Sequence, residues 1–353
     1  METKQQQFNG VTYEAQRVGG LVWSNRVIGA LQQRVASYPM HRQLRFAARI
    51  ELEVLMDAIA LDPSWNAHRV GDSEAILDAD GMFVFAYGSR KGEYSSWFFY
   101  IYGQTVAQVE RIKERLLAKA GSTLVTEPMF SIDWHFLTCR GQLESTAIEE
   151  IATDVLHDAA YPEIQGGVAQ FVKRYLDSAE TVLVLQGPPG TGKTRLIRAL
   201  LAAMSARKGE PARALYTGDM RALQSDEAFV KFITGEHDAF VVEDADHMLK
   251  PRADGNEHLH RFLTIADGVV RAQGRKIIFS TNLPNVGDLD EALIRPGRCF
   301  ARLNIRALSS VEAQHLAEQI AAGDVEKCRR AASALAQAKS KGHSLAEVYQ
   351  AVK

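Results

Sequence analysis

The chain has 353 residues, 46% of them hydrophobic and 24% charged, with a formal net charge of −2. These values fit a soluble globular protein of two or three domains and leave no overall basic excess of the kind that binds nucleic acid. Cys139, Cys299 and Cys328 lie far apart, without C-x-x-C spacing. The opening METKQQQFNG has no charged-then-apolar leader, and no apolar run reaches the ~18–20 residues that span a bilayer, so a reduced, cytoplasmic protein with no membrane role is expected.

Residues 1–150 read as an N-terminal α+β region, expected to be a substrate or partner domain. Arg42 to Leu61 carries apolar residues at Leu44, Ala47, Ala48, Leu52, Leu55, Met56 and Ile59, a helical stripe closed by Asp62-Pro63. Met82–Tyr87 and Trp97–Tyr102 read as strands joined by a turn at 88–92. Gln104–Ala120 is an amphipathic helix that stops at Gly121, and Phe130–Leu137 is a further strand. The aromatic run Trp97, Phe98, Phe99, Tyr100 and Tyr102 suits a core strand or a recognition surface.

Residues 151–180 form a helical connector, interrupted at Tyr161-Pro162 and resuming from Ile164 to Ala179. Strand-like runs at 181–185, 213–217, 238–243, 275–280 and 301–305 alternate with helical ones. That alternation predicts an α/β nucleotide-binding core over 181–306: a parallel sheet sandwiched by helices, with ligands at the strands' carboxyl ends. Residues 307–353 are Ala-rich and read as a small helical lid, with a helix start at Ser309-Ser310 followed by Glu312.

Between the first core strand and the helix from Thr194 to Met204 lies Gly187-Pro188-Pro189-Gly190-Thr191-Gly192-Lys193-Thr194. It fits G-x-x-x-x-G-K-[ST] in the strand–loop–helix setting that the P-loop needs. The glycines let backbone amides converge on a polyphosphate, Lys193 reaches the terminal phosphates, and Thr194 can ligate Mg²⁺ at a helix N-terminus. The apolar strand before Glu243 and Asp244 sets two carboxylates beside those phosphates. One is needed to hold the metal and one to orient and deprotonate a water; Glu243 is assigned to Mg²⁺ and Asp244 to the water. Asn282, at the end of Lys276–Thr281, can bond both a phosphate and that water through its amide.

The run Leu289-Asp290-Glu291-Ala292-Leu293-Ile294-Arg295-Pro296-Gly297-Arg298 brings a resemblance into view. Together with the phosphate loop and the acid-ended strand, it resembles the AAA family of AAA+ ATPases over roughly 160–353. The resemblance implies a P-loop NTPase fold, ATP and Mg²⁺ as ligands, ATP hydrolysis, and a homo-oligomeric ring, a hexamer in the family. Arg295 and Arg298 would act as fingers reaching a neighbour's γ-phosphate, where guanidinium forks suit a shifting anionic charge. The Glu-Asp order and the segment from Ser225 to Ile233 resemble the mitochondrial Bcs-type assembly ATPases, whose transmembrane helix has no counterpart here. Asp246–Arg252, Phe262–Val269 and Ser344–Tyr349 also resemble family segments.

Departures bear on mechanism. The usual acid order is Asp-Glu, so the shorter Asp244 must sit closer to its water. Thr217–Leu223 has no pore aromatic, leaving Met220 as a substrate grip or a filler. Lys250, Arg252, His258 and His260 are either a basic pore lining or a solvated face. The leading expectation is a ring ATPase that remodels or assembles a protein client chosen by residues 1–150. A nucleotide-gated oligomeric scaffold and a nucleic-acid loader or motor are the alternatives, the last disfavoured by the charge balance.

Overall fold

The computed structural model describes residues 6–8, 11–13 and 40–353, apart from 70–72, 80, 140, 142, 153–154, 225, 236, 252–258, 268–273, 286–288 and 337–341. Arg252, His258, Ser225, Gly268 and Val269 therefore lie outside the described residues. The chain divides into two compact units, Met1–Thr126 and Glu127–Lys353.

In the first unit, β1 (Gln6–Phe8) pairs with β2 (Val11–Tyr13). The main element is an antiparallel sheet of β3 (Met40–Ala48), β4 (Asn66–Arg69), β5 (Glu74–Ala79), β6 (Met82–Lys91) and β7 (Tyr94–Gly103), ordered β3-β7-β6-β5-β4. Helices α1 (Leu52–Ala60) and α2 (Val106–Ala120) bury Leu55, Ile59, Val109 and Leu116 in the same core as Leu44, Phe46, Trp97, Phe99 and Ile101. The aromatic run thus puts Trp97 and Phe99 in the core, while Phe98, Tyr100 and Tyr102 are half-buried on the alternate face. α2 starts at a Thr105–Gln108 capping box and ends at Gly121, whose φ is 51°.

The helix expected over 42–61 is instead a strand followed by a shorter helix. Leu44 and Ala48 satisfy a helical period and a strand period alike. Phe46, which the helical stripe leaves out, is buried at 9% exposure, and Leu44, Phe46 and Ala48 all face inward. The partner strand decides: Leu44 lies opposite Phe99 and Phe46 opposite Trp97, so aromatic cross-strand pairs outweigh local helix preference.

The second unit is built on a seven-stranded sheet: β8 (Met129–Leu137), β9 (Leu143–Ile151), β10 (Val182–Gln186), β11 (Ala212–Thr217), β12 (Ala239–Val242), β13 (Lys276–Thr281) and β14 (Cys299–Asn304). The order is β14-β10-β13-β12-β11-β8-β9; only β9 runs antiparallel to its neighbour. This moves the domain boundary from near 150 to 126/127. β8 pairs with β11, and its Phe130 is fully buried among core residues of the nucleotide unit. The expected connector is also part of that core: α3 (Val168–Asp177) buries Val168, Phe171, Val172 and Tyr175 there.

Helix α4 (Lys193–Lys208) follows β10. α5 (Met220–Gln224) and α6 (Asp226–Thr234) lie between β11 and β12; α7 (Asp246–Leu249) and α8 (Leu259–Asp267) lie between β12 and β13. The segment expected as a lid comprises α9 (Ser310–Ala321), α10 (Val325–Leu335) and α11 (Leu345–Val352). Capping boxes at Ser309–Glu312 and Ser344–Glu347 start α9 and α11, and Asp324 caps α10. Among the described residues, no helix is long and apolar enough to cross a membrane.

Candidate nucleotide site

Strand β10 is buried along its whole length, which fixes where the phosphate loop begins. A Cβ on Gly187 would lie 2.0 Å from the Ile305 carbonyl oxygen, so only glycine fits where loop and strand end meet. Gly192 has a φ of 94°, and a Cβ there would lie 2.4 Å from Leu345 of the lid. These two residues hold the turn so that α4 opens at Lys193. Thr191 tightens the loop by donating to the Pro188 carbonyl at 2.8 Å.

Lys193 is 7% exposed and donates to the carbonyls of Gly187 at 2.7 Å and Pro188 at 3.0 Å, and to Asn282 Oδ1 at 2.9 Å. Burial pulls its ammonium below the usual lysine value, against the charges of Asp244, Asp246 and Glu243. Thr194 Oγ1 donates to Glu243 Oε1 at 2.6 Å, and Tyr216 Oη donates to Glu243 Oε2 at 2.7 Å. Burial and the Glu243 carboxylate push the Tyr216 hydroxyl well above its ordinary value, so it stays a donor.

Asp244 has a φ of 50°, a left-handed backbone that Asp tolerates better than most residues and that recurs at functional sites. Its amide donates to Ser280 Oγ at 3.2 Å, and its carboxylate accepts from Asn282 Nδ2 at 2.9 Å. Asp246 accepts from Thr281 Oγ1 at 2.6 Å and from the Asn282 amide at 2.8 Å, fixing the residue that bridges Lys193 to Asp244.

The loop, Glu243, Asp244, Ser280 and Asn282 line one cavity of about 490 Å³, closed on the lid side by Leu345, Ala346 and Tyr349. Arg195 stacks on Tyr349 with its guanidinium carbon 3.8 Å from the ring centroid, linking the helix after the phosphate loop to the lid. The donor set is a hydroxyl and carboxylates, all hard oxygens. Mg²⁺ uses one or two carboxylates and completes its shell with water and phosphate, so the residues fit that ion. No group of three or more His, Cys, Asp or Glu residues suited to an all-protein metal cage occurs among the described residues.

The expected residues Lys193, Thr194, Glu243, Asp244 and Asn282 thus converge. The two arginines do not join them. Arg295 is exposed, whereas Arg298 is 7% exposed and its guanidinium donates to the Ala292 carbonyl within the same loop. Tyr216, Asp246, Ser280 and Arg195 take part without having been anticipated. A polar residue one position before the end of a core strand is the signal that marks Tyr216 and Ser280.

A parallel sheet, a phosphate loop at its carboxyl edge and an acid pair beside it define a P-loop nucleotide-binding domain. Residues 183–307 match the family described as "ATPase family associated with various cellular activities (AAA)". The chain carries an AAA ATPase domain. It is 22% identical over 257 residues, 61% of this chain and 44% of the relative, to "AAA ATPase forming ring-shaped complexes" of Micrococcus luteus. It is 34% identical over 134 residues, 34% of this chain and 32% of the relative, to a "Proteasome-activating nucleotidase" of Thermococcus onnurineus. It is also 29% identical over 132 residues, 35% of this chain and 16% of the relative, to "ATPase family gene 2 protein" of Schizosaccharomyces pombe. The chain spans less than half the length of each of these relatives.

Proposed function

We propose that the protein binds Mg²⁺ and ATP in this cavity, hydrolyses the terminal phosphate, and does so within a homo-oligomeric ring. The observation that carries the reading is two hydrogen-bonded groups, Lys193–Asn282–Asp244 and Thr194–Glu243, drawn from the start of α4 and the ends of β12 and β13 into one cavity. Lys193 binds the β- and γ-phosphates. Thr194 and Glu243 would hold Mg²⁺, which would supply positive charge to offset the phosphates. Asp244 orients a water and takes its proton as the water oxygen bonds to the γ-phosphorus. The bond from that phosphorus to the bridging oxygen breaks, and ADP leaves with the electron pair. Asn282 keeps Asp244 and Lys193 in register.

Arg295, exposed on its loop, is the better placed finger toward a neighbouring protomer's γ-phosphate, with Arg298 shaping the loop beneath it. The relative named for ring-shaped complexes supports the ring, for which a hexamer is the family expectation. The proteasome-activating relative and the net charge of −2 support a protein client over nucleic acid, with the first unit selecting it. The free thiols Cys139, Cys299 and Cys328 support a cytoplasmic setting.

The decisive experiment pairs two variants. Lys193→Ala should abolish nucleotide binding. Asp244→Asn should keep binding and block phosphate release. Unimpaired turnover by Asp244→Asn would overturn the assignment of the base. For the ring, Arg295→Ala protein mixed with Lys193→Ala protein should recover activity, because the second supplies the missing finger; no recovery would sink action across the interface.

A further inference from the structure

Resting on the reading of the cavity as a Mg²⁺–nucleotide centre, we propose that Tyr216 is a positioning residue for the metal-side carboxylate, and that Trp134 of β8 holds Tyr216 in place. Glu243 is half-buried at the end of β12, and its side chain has three rotatable bonds. Its two oxygens have different partners: Oε1 faces Thr194 at 2.6 Å and Oε2 accepts from Tyr216 at 2.7 Å. The phenol therefore occupies one oxygen and leaves the other aimed at the hydroxyl with which it would share a cation. Partners of metal ligands commonly work this way, fixing a carboxylate's orientation, and their loss typically lowers metal affinity 10–100-fold.

A merely satisfied buried hydroxyl would be content with a backbone carbonyl, as the Tyr175 hydroxyl is with that of Thr181 at 2.7 Å. Tyr216 instead bonds the one carboxylate that touches the phosphate-loop threonine. Its ring meets Trp134 edge-on, with centroids 6.0 Å apart and planes at 88°, a favourable aromatic geometry. The two residues lie opposite each other in the β11–β8 register. Trp134 is 45% exposed, so it is not there chiefly to fill a core. It also lies outside residues 183–307, the segment that matches the AAA family. The orientation of a metal carboxylate is thus set partly by a strand added to the domain.

The test is Mn²⁺ titration, followed by electron paramagnetic resonance, of the full chain saturated with a non-hydrolysable ATP analogue. Tyr216→Phe keeps the ring and removes the donor. It should weaken Mn²⁺ binding about 10-fold, while metal-free binding of the analogue stays within about twofold of wild type. Trp134→Leu, which keeps the hydroxyl, should give a smaller loss, about two- to threefold. In a Glu243→Gln background, Tyr216→Phe should add no further loss, whereas a general packing defect would add the same loss in both backgrounds. Mn²⁺ binding unchanged within twofold in Tyr216→Phe, or the same loss in the Gln background, overturns the proposal. If Tyr216→Phe does not fold, an unchanged Trp134→Leu overturns it. If wild type itself fails to take up Mn²⁺ with the analogue, the reading of the cavity falls instead.

Discussion

The two walls of the cavity are built on opposite principles. The phosphate-loop wall is one contiguous stretch, 187–194, shaped by backbone: glycines at close approaches, a tight turn, and a helix that opens on Lys193. The acid wall gathers Tyr216, Glu243, Asp244, Ser280 and Asn282 from the ends of three strands and Asp246 from the start of α7, and holds them by side-chain hydrogen bonds. The first wall is sensitive to added volume, the second to the removal of a polar partner. A backbone-built wall fails by clash; a wall built from side chains fails by leaving donors or acceptors unpaired.

The sharpest way to break this contrast is Gly187→Ala. Its Cβ would meet a backbone carbonyl at 2.0 Å, which no side-chain rotation relieves. Denaturant unfolding should show a loss of roughly 4 kcal/mol or more, and nucleotide binding should disappear. A stable, nucleotide-binding Gly187→Ala protein would contradict the account of the loop. On the other wall, Asp246→Ala should leave the Asn282 amide and the Thr281 hydroxyl without their acceptor. That costs about 1–3 kcal/mol in the same unfolding measurement, with turnover slowed and nucleotide affinity nearly unchanged. Loss of affinity equal to that of Lys193→Ala would show that the two walls are not separable.

The β8 flank of the same sheet can be probed by pH. Asp133 of β8 accepts from His237 Nε2 at 2.8 Å and from Arg213 of β11 at 2.7 Å. Burial raises its carboxyl pKa, but those partners outweigh burial and bring it down to about 2. A carboxyl whose folded value is depressed stabilises the fold above its unfolded value, and that contribution fades as pH falls toward about 2. Thermal unfolding should therefore show a loss of about 2 kcal/mol between pH 4 and pH 2 that is missing in Asp133→Asn. Equal acid sensitivity in both proteins would remove Asp133 from the account. The smallest expected effect is at the lid. Ser344→Ala removes the N-cap of α11 beside Gly190 and should cost about 1 kcal/mol, read as a small fall in melting temperature with turnover largely kept.

The same contrast separates what was legible in the residue order from what was not. The phosphate loop, the acid-ended strand, Asn282 and the five parallel core strands are local patterns, and each appears within a few residues of its expected place. The split of 42–61 into β3 and α1 was hidden, because Leu44 and Ala48 fit both periods and the choice was made by Trp97 and Phe99 on another strand. The boundary near 150 erred for the same reason. β8 was recognisable as a strand, but its partner β11 lies some eighty positions along the chain. Arg295 and Arg298 look equivalent in the motif, and only folding shows one exposed and the other buried against Ala292.

Residue order alone thus determined the phosphate-binding turn, the acids and the alternation of strand and helix, because each depends on φ/ψ preference or periodicity over a short span. Tertiary structure decided which strand flanks the core sheet, which face each aromatic takes, and that Tyr216 bonds Glu243. Those outcomes depend on pairings between distant segments, whose energies become available only once the chain has brought them together.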